Sequence, residues 1–217
     1  ENLFLLDLNR IKRDLELIPS IHSVTIERLL PHTLQLRVSE REPTAQYVFA
    51  QPLPNGRYEK VVYWIDHEGW VMPPVEPAQR AHPGMTNEPL MHITGAAPSD
   101  FRPGRVVALP QAHAALAFVA AFAASPMSGA VDVREVDVSS PGVLVIRTEQ
   151  GAEVVFGLSN FEAQLQRWRL AHDYGASIGK HLAYIDLSVS NNVPARWLAA
   201  ATPVPPRSEE HTSELQS

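Results

Sequence analysis

Three runs of alternating residues, VDVREVDVS, GVLVIRTE and AEVVFG, lie between residues 131 and 157 and are joined only by SPG and EQG. Side chains along a strand point to opposite faces in turn, and links this short leave only antiparallel neighbours within reach. This region must therefore fold as a meander with one apolar face, and that face needs a cover. The cover follows at once. SNFE, residues 159–162, reads as a capping box, with Ser159 as N-cap and Glu162 three residues on. The helix it opens carries Phe161, Leu165, Trp168 and His172 on one stripe, and YGASIGK ends it. One more strand returns, YIDLSVS, with Ile185, Leu187 and Val189 on its apolar side. It runs out into Asn191-Asn192-Val193-Pro194, shortly before Trp197, with no later segment read as its partner.

The first forty residues have a different rhythm. Leu8, Ile11, Leu15 and Ile18 fall at helical spacing, with Asp7 as N-cap and Pro19 as the stop. Val24 and Ile26, joined by Leu29, face one way, and Leu34, Leu36 and Val38 form the second row of a hairpin that turns at Pro31-His32. One helix and two strands bury too little to stand alone, so a further strand is expected before Glu1. From Ala45 come short β segments: AQYVFA, KVVYWID and GWVMPP, with DHEG at residues 66–69 as a hairpin tip. Residues 73–105 are rich in Pro and Gly and read as loop around a short strand, LMHIT; residues 110–124 read as an apolar helix using Leu116, Val119 and Phe122.

Composition excludes several chemistries. The 217 residues carry a net charge of -6 without a basic cluster, which argues against a phosphate-binding surface and against nucleic acid as a partner. No cysteine is present, so disulfides, thiolate metal sites and cysteine nucleophiles are out. The longest apolar run, residues 114–124, falls short of the roughly 20 residues that span a bilayer. RSEEHTSELQS, residues 207–217, is polar and aperiodic and matches one reading frame of a sequencing adapter; it is expected to be disordered and foreign to the fold.

Candidate sites are few. Asp66, His67 and Glu68 are consecutive, and consecutive side chains do not converge on one metal; they read as a solvated turn. Glu40-Arg41-Glu42 reads as a solvated strand end, and Trp64 and Trp70 as cross-strand neighbours over the DHEG turn. The nine histidines form no H-E-x-x-H, and no G-x-S-x-G elbow or phosphate loop occurs. No catalytic, cofactor-binding or metal residues are assigned and no cofactor is expected; the chain reads as an interaction module, not an enzyme.

Residues 2–45 carry a resemblance. Asn2-Leu3-Phe4, Ile18-Pro19, Arg28 and Pro31, Thr33-Leu34, and Glu40-Arg41-Glu42-Pro43 leading to Ala45 stand in the order seen in the POTRA domain of FtsQ/DivIB cell-division proteins. WIDHEGWV, LMHITG, and GAEVVFG through YIDLSV are similar to the following β domain of that family. The resemblance implies an α+β fold: a partial POTRA domain over residues 1–45, its upstream strand and helix missing, then an antiparallel β domain with covering helices over 46–198 and a disordered tail over 199–217. It implies a non-enzymatic divisome scaffold for septum formation. Such a protein would be held in the inner (plasma) membrane by a lost N-terminal helix, with this region on the periplasmic side. The implied partners are FtsB/FtsL-type coiled-coil proteins and other division proteins. They would be recruited by strand addition at a sheet edge over residues 184–193, with Ser188, Val189, Asn191, Val193 and Trp197 as contacts. The alternative is a POTRA-bearing outer-membrane assembly or secretion component; no repeat of the first unit in residues 110–197 supports it.

Overall fold

A computed structural model describes residues 6–76 and 90–199. Asn2-Leu3-Phe4 of the resemblance, the middle of the Pro/Gly-rich stretch and the tail from residue 200 lie outside the described residues.

The first unit is a helix on a hairpin. α1 (Leu8–Glu16) starts where Asp7 Oδ1 accepts the Arg10 N–H at 3.0 Å, the N-cap expected from sequence. β1 (Ile21–Leu29) and β2 (Thr33–Glu40) pair antiparallel with Val24 opposite Val38 and Ile26 opposite Leu36. Strand alternation sends Leu29 to the other face, where it is 46% exposed, so it does not join Val24 and Ile26. Val24 is buried, while no α1 residue is fully so.

Among the described residues, every strand after Glu42 belongs to one nine-stranded sheet. Its strands are β3 (Pro43–Pro52), β4 (Tyr58–Asp66), β5 (Val71–Met72), β6 (Met91–Thr94), β7 (Val133–Asp137), β8 (Val143–Thr148), β9 (Glu153–Gly157), β10 (Lys180–Asp186) and β11 (Ala195–Ala199). The spatial order is β11-β10-β9-β8-β7-β6-β3-β4-β5. The meander β7-β8-β9 is antiparallel, as its short links require. Three junctions are parallel, however: β3–β6, β6–β7 and β9–β10. Their connections are long enough to cross over, so the sheet is mostly, not wholly, antiparallel. β3 starts at Pro43, ahead of the boundary expected after residue 45.

Two helices cover one face. α2 (Pro110–Ala123) has Pro110 in its first turn, where a missing N–H costs nothing, and buries Leu116, Phe118, Val119 and Phe122. α3 (Phe161–Ser177) buries Phe161, Leu165 and Trp168, while His172 stays half-exposed beside Asp173. Under them lie Val136, Leu144, Ile146, Val154 and Phe156, all fully buried. The Phe118 and Phe156 rings pack edge-on at 4.9 Å, and Phe156 meets Trp168 at 5.8 Å. The capping box is not formed. Asn160 is the N-cap, in the left-handed region at φ 57°, which asparagine tolerates and serine does so less readily. Buried Gln164 does the local bonding instead: its Oε1 accepts the Gly157 N–H and its Nε2 donates to the Ser159 carbonyl.

Three readings from the sequence are corrected. Asp66 is 1% exposed, because its Oδ1 accepts the backbone N–H groups of Glu68 and Trp70 and its Oδ2 takes Arg41. Arg41 is accordingly a largely shielded, ion-paired cation and not a solvated strand end. Trp64 pairs with Met72, not Trp70; the indole of Trp70 lies under the Arg41 guanidinium at 4.4 Å. Gly69, at φ 85°, closes the turn.

The face away from the helices carries Arg147, bonded to Glu135 at 2.8 Å and within 3.4 Å of Asp137 and 3.6 Å of Glu153. Burial alone would raise the Asp137 carboxyl. Hydrogen bonds from Ser139 and the Arg147 guanidinium outweigh it and hold the group below the usual carboxylate range. A depressed native pKa contributes stability that is present above the unfolded value of about 3.9 and is lost as pH falls through the native one. Asp137→Asn should therefore cost a few tenths to about 1 kcal/mol at pH 7, the range of partly exposed ion pairs. The deficit should begin to shrink below about pH 4, where the carboxyl of the unfolded chain takes up its proton while the native one is still charged. Denaturant midpoints at pH 7 and pH 3 check it; a deficit equal at both would remove the carboxylate from the account.

Candidate partner-docking edge

Strand β10 does not reach residue 193. It stops at Asp186, whose Oδ1 accepts both the backbone N–H (3.0 Å) and the hydroxyl (2.6 Å) of Ser188. This is a local turn of the kind aspartate favours over a ladder. Leu187 makes one last bond to Val155 at 2.7 Å. Arg167 of α3 then donates to the Leu187 carbonyl at 2.6 Å and the Val189 carbonyl at 2.7 Å, pulling the chain off the sheet. Asn192 takes φ 51°, and Pro194 accepts from the Asp186 N–H at 3.0 Å. The chain has reversed, and β11 lies antiparallel to β10 with Leu182 opposite Trp197 and Ile185 opposite Ala195.

β10 is thus an inner strand, flanked by β9 and β11, and the sheet edge is β11. The expectation of an edge over residues 184–193 is corrected by this reversal. The signal for it was present in the sequence: Asn192-Val193-Pro194 is turn chemistry, and the five residues after it are enough for a short strand.

The five residues singled out from sequence divide into two groups. Ser188, Val189 and Asn191 lie on the exposed bend between β10 and β11, Val189 at 39% exposure. Val193 is half-buried and packs against the core. Trp197 also turns inward: its ring meets Tyr174 at 5.9 Å, and Gly175 lies directly beneath it on α3. Sequence reasoning missed Arg196, whose guanidinium stacks 5.0 Å from the Tyr184 ring, and Leu198, which is 63% exposed.

The two ends of the sheet differ in their backbone. At the β5 end the outer groups are taken: Val71 N–H bonds Arg105, and the Val71 and Gly69 carbonyls accept from Gly104 and Val107 at 2.8 Å each. At the β11 end no backbone partner lies beyond β11 among the described residues. Because Pro194 turns its carbonyl inward to Asp186, the two-residue alternation of an antiparallel ladder turns residues 195, 197 and 199 outward. Among the described residues no group of three or more His, Cys, Asp or Glu side chains is placed to hold a metal ion, and no helix is long and apolar enough to cross a membrane.

Gly175 makes the close approach of Trp197 possible. A Cβ there would stand 2.3 Å from the ring and 2.9 Å from the Lys180 carbonyl, which belongs to the backbone and cannot rotate away. Gly175→Ala should destabilise by roughly 1–3 kcal/mol despite the better helix propensity of alanine. It should also speed amide exchange at residues 195–199. Adding Trp197→Leu should return only part of the loss, because the Lys180 contact remains. A variant as stable as wild type would show that β11 does not depend on this contact.

The sequence matches two family descriptions: "POTRA domain, FtsQ-type" over residues 1–41 and "Cell division protein FtsQ/DivIB, C-terminal" over residues 56–188. It is 26% identical over 200 residues to the cell division protein FtsQ of Myxococcus fulvus, a match covering 92% of this chain and 63% of that protein. The order of elements agrees: a helix-and-hairpin unit, then a sheet domain whose C-terminal family match runs from the turn before β4 to the end of β10. With that span matched, the chain belongs to the FtsQ/DivIB family.

Proposed function

We propose that this chain is the extracytoplasmic part of a non-enzymatic cell-division scaffold that recruits a partner of the FtsB/FtsL type by strand addition along β11. One observation carries the reading: among the described residues, one end of the sheet has its backbone satisfied by residues 104–107 and the other has no backbone partner. An added strand would meet the outward groups of Ala195, Trp197 and Ala199, and each new backbone bond contributes roughly 0.5–1.5 kcal/mol net. Ser188, Val189 and Asn191 on the neighbouring bend, with Arg196 and Leu198 on the strand, would supply selectivity. Trp197 and Val193 would act from beneath, by holding the strand in place. An anchoring membrane helix upstream, and the periplasmic side for this region, are part of the same proposal and follow the family likeness.

Proline is tolerated on an edge strand when the lost N–H faces outward. Ala195→Pro should therefore leave the fold intact and remove one donor from the docking edge. Binding of an FtsB-type peptide should weaken about tenfold, the equivalent of one such bond. Amide exchange at residues 195–199 should slow when the peptide is added to wild type. Binding that persists with unchanged exchange along β11 would place the partner elsewhere.

A further inference from the structure

We infer that Arg41 is the residue that fixes the angle between the helix-and-hairpin unit and the nine-stranded sheet. Only Arg41 and Glu42 separate the end of β2 from the start of β3. A two-residue link by itself allows wide rotation about its backbone dihedrals. Here it is spanned by a closed ring of contacts. On the hairpin side, the Arg41 N–H donates to the Ser20 carbonyl at 2.9 Å. On the sheet side, Arg41 Nη1 donates to Asp66 Oδ2 at 2.6 Å and to Glu68 Oε2 at 2.9 Å. Its Cζ lies over the Trp70 ring at 4.4 Å from the ring centre, and the Trp70 indole N–H closes the ring by donating back to the Pro19 carbonyl at 2.9 Å.

The socket is prepared before the arginine enters it. Asp66 Oδ1 is already held by the N–H groups of Glu68 and Trp70, which aims Oδ2 at Arg41. Asp66 is 2% exposed and Arg41 10% in their side chains, so the pair is shielded from the solvent that weakens surface ion pairs. The geometry asks for a flat cation that stacks through its face and donates through its edge. Guanidinium does both, and a lysine ammonium does not. Within the hairpin unit Val24 is the buried residue beneath α1, and across the link His22 Nδ1 comes within 3.9 Å of Glu68 Oε2, the carboxylate that Arg41 also holds. Arg41 therefore sets direction, so that the hairpin unit and the sheet turn as one body.

The chain has no cysteine, so two can be placed at will. Glu27→Cys on β1 and Ala117→Cys on α2 are both exposed positions on opposite sides of the link. Spin labels there, measured by electron double resonance, should give one narrow distance distribution in the parent chain. Arg41→Ala and Asp66→Asn should broaden it, while far-UV dichroism and the thermal transition of the sheet persist. Arg41→Lys should broaden it as well, since charge alone does not restore the stack. A narrow distribution in folded Arg41→Ala overturns the proposal. Should Arg41→Ala unfold, Trp70→Phe decides. That variant keeps an aromatic face and loses only the donation to Pro19; broadening upholds the ring, and an unchanged narrow peak overturns it.

Discussion

The packing of an apolar meander against two helices underlies everything else in the molecule. Phe156 on β9, Phe118 on α2 and Trp168 on α3 meet at 4.9 to 5.8 Å, so the three elements that cover one another do so through rings. Each ring buries a large area and permits only a few relative geometries. With β7, β8 and β9 seated in this way, the parallel neighbours β6 and β10 extend the sheet on either side, and β11 is added last. The exposed edge thus lies two strands out from β9, outside the strands that the rings seat. It relies on a local arrangement, Trp197 against Gly175 and Arg167 on the preceding bend, to stay in register.

The two ends of the sheet differ in how their outer backbone groups are paired among the described residues. An unpaired strand edge invites association, and natural sheets usually cover or shorten it. β5 is both short and covered, with residues 104–107 bonded across it. β11 is short but has no strand or loop beyond it among the described residues, and residues 195–199 include no aspartate or glutamate to repel a strand. The difference lies in backbone pairing, a property that the side-chain inventory of either strand does not reveal.

Periodic elements were legible in the sequence and non-local ones were not. The Asp7 cap, the hairpin of residues 21–40, α2, the meander and the stripe of α3 are written in spacing and turn residues that sit next to each other. The failures share one cause. Arg41 and Asp66 lie 25 positions apart, and each looks like an ordinary surface charge until the chain brings them together. Trp70 looked like a partner for Trp64, but its face was taken by the same arginine. Ser159 had the chemistry of a cap, yet the backbone turned through Asn160, one residue later. The strand read through to residue 193 kept an alternating pattern beyond Asp186 while Asp186 itself, by bonding Ser188, had already ended it.

These failures fall where the local pattern is overridden for a reason. A largely shielded arginine on a two-residue link is costly unless it is paired, and its pairing here spans the two units of the chain. The bend of residues 187–194 breaks a strand that could have continued, and the break is what turns β11 back along β10. Had β10 run on to residue 193, its apolar side would have stayed over the core. The outer edge would then have been Tyr184, Asp186 and Ser188, a strand lined with its own hydrogen-bonding side chains. The reversal puts forward instead a strand of Ala195, Arg196, Leu198 and Ala199, with its one large ring tucked against α3. Small side chains leave the outward backbone groups accessible, and a ring anchored from beneath keeps the strand straight enough to present them in a row. The docking role proposed for β11 would need both properties, and the turn residues after Asp186 are what give the strand its position.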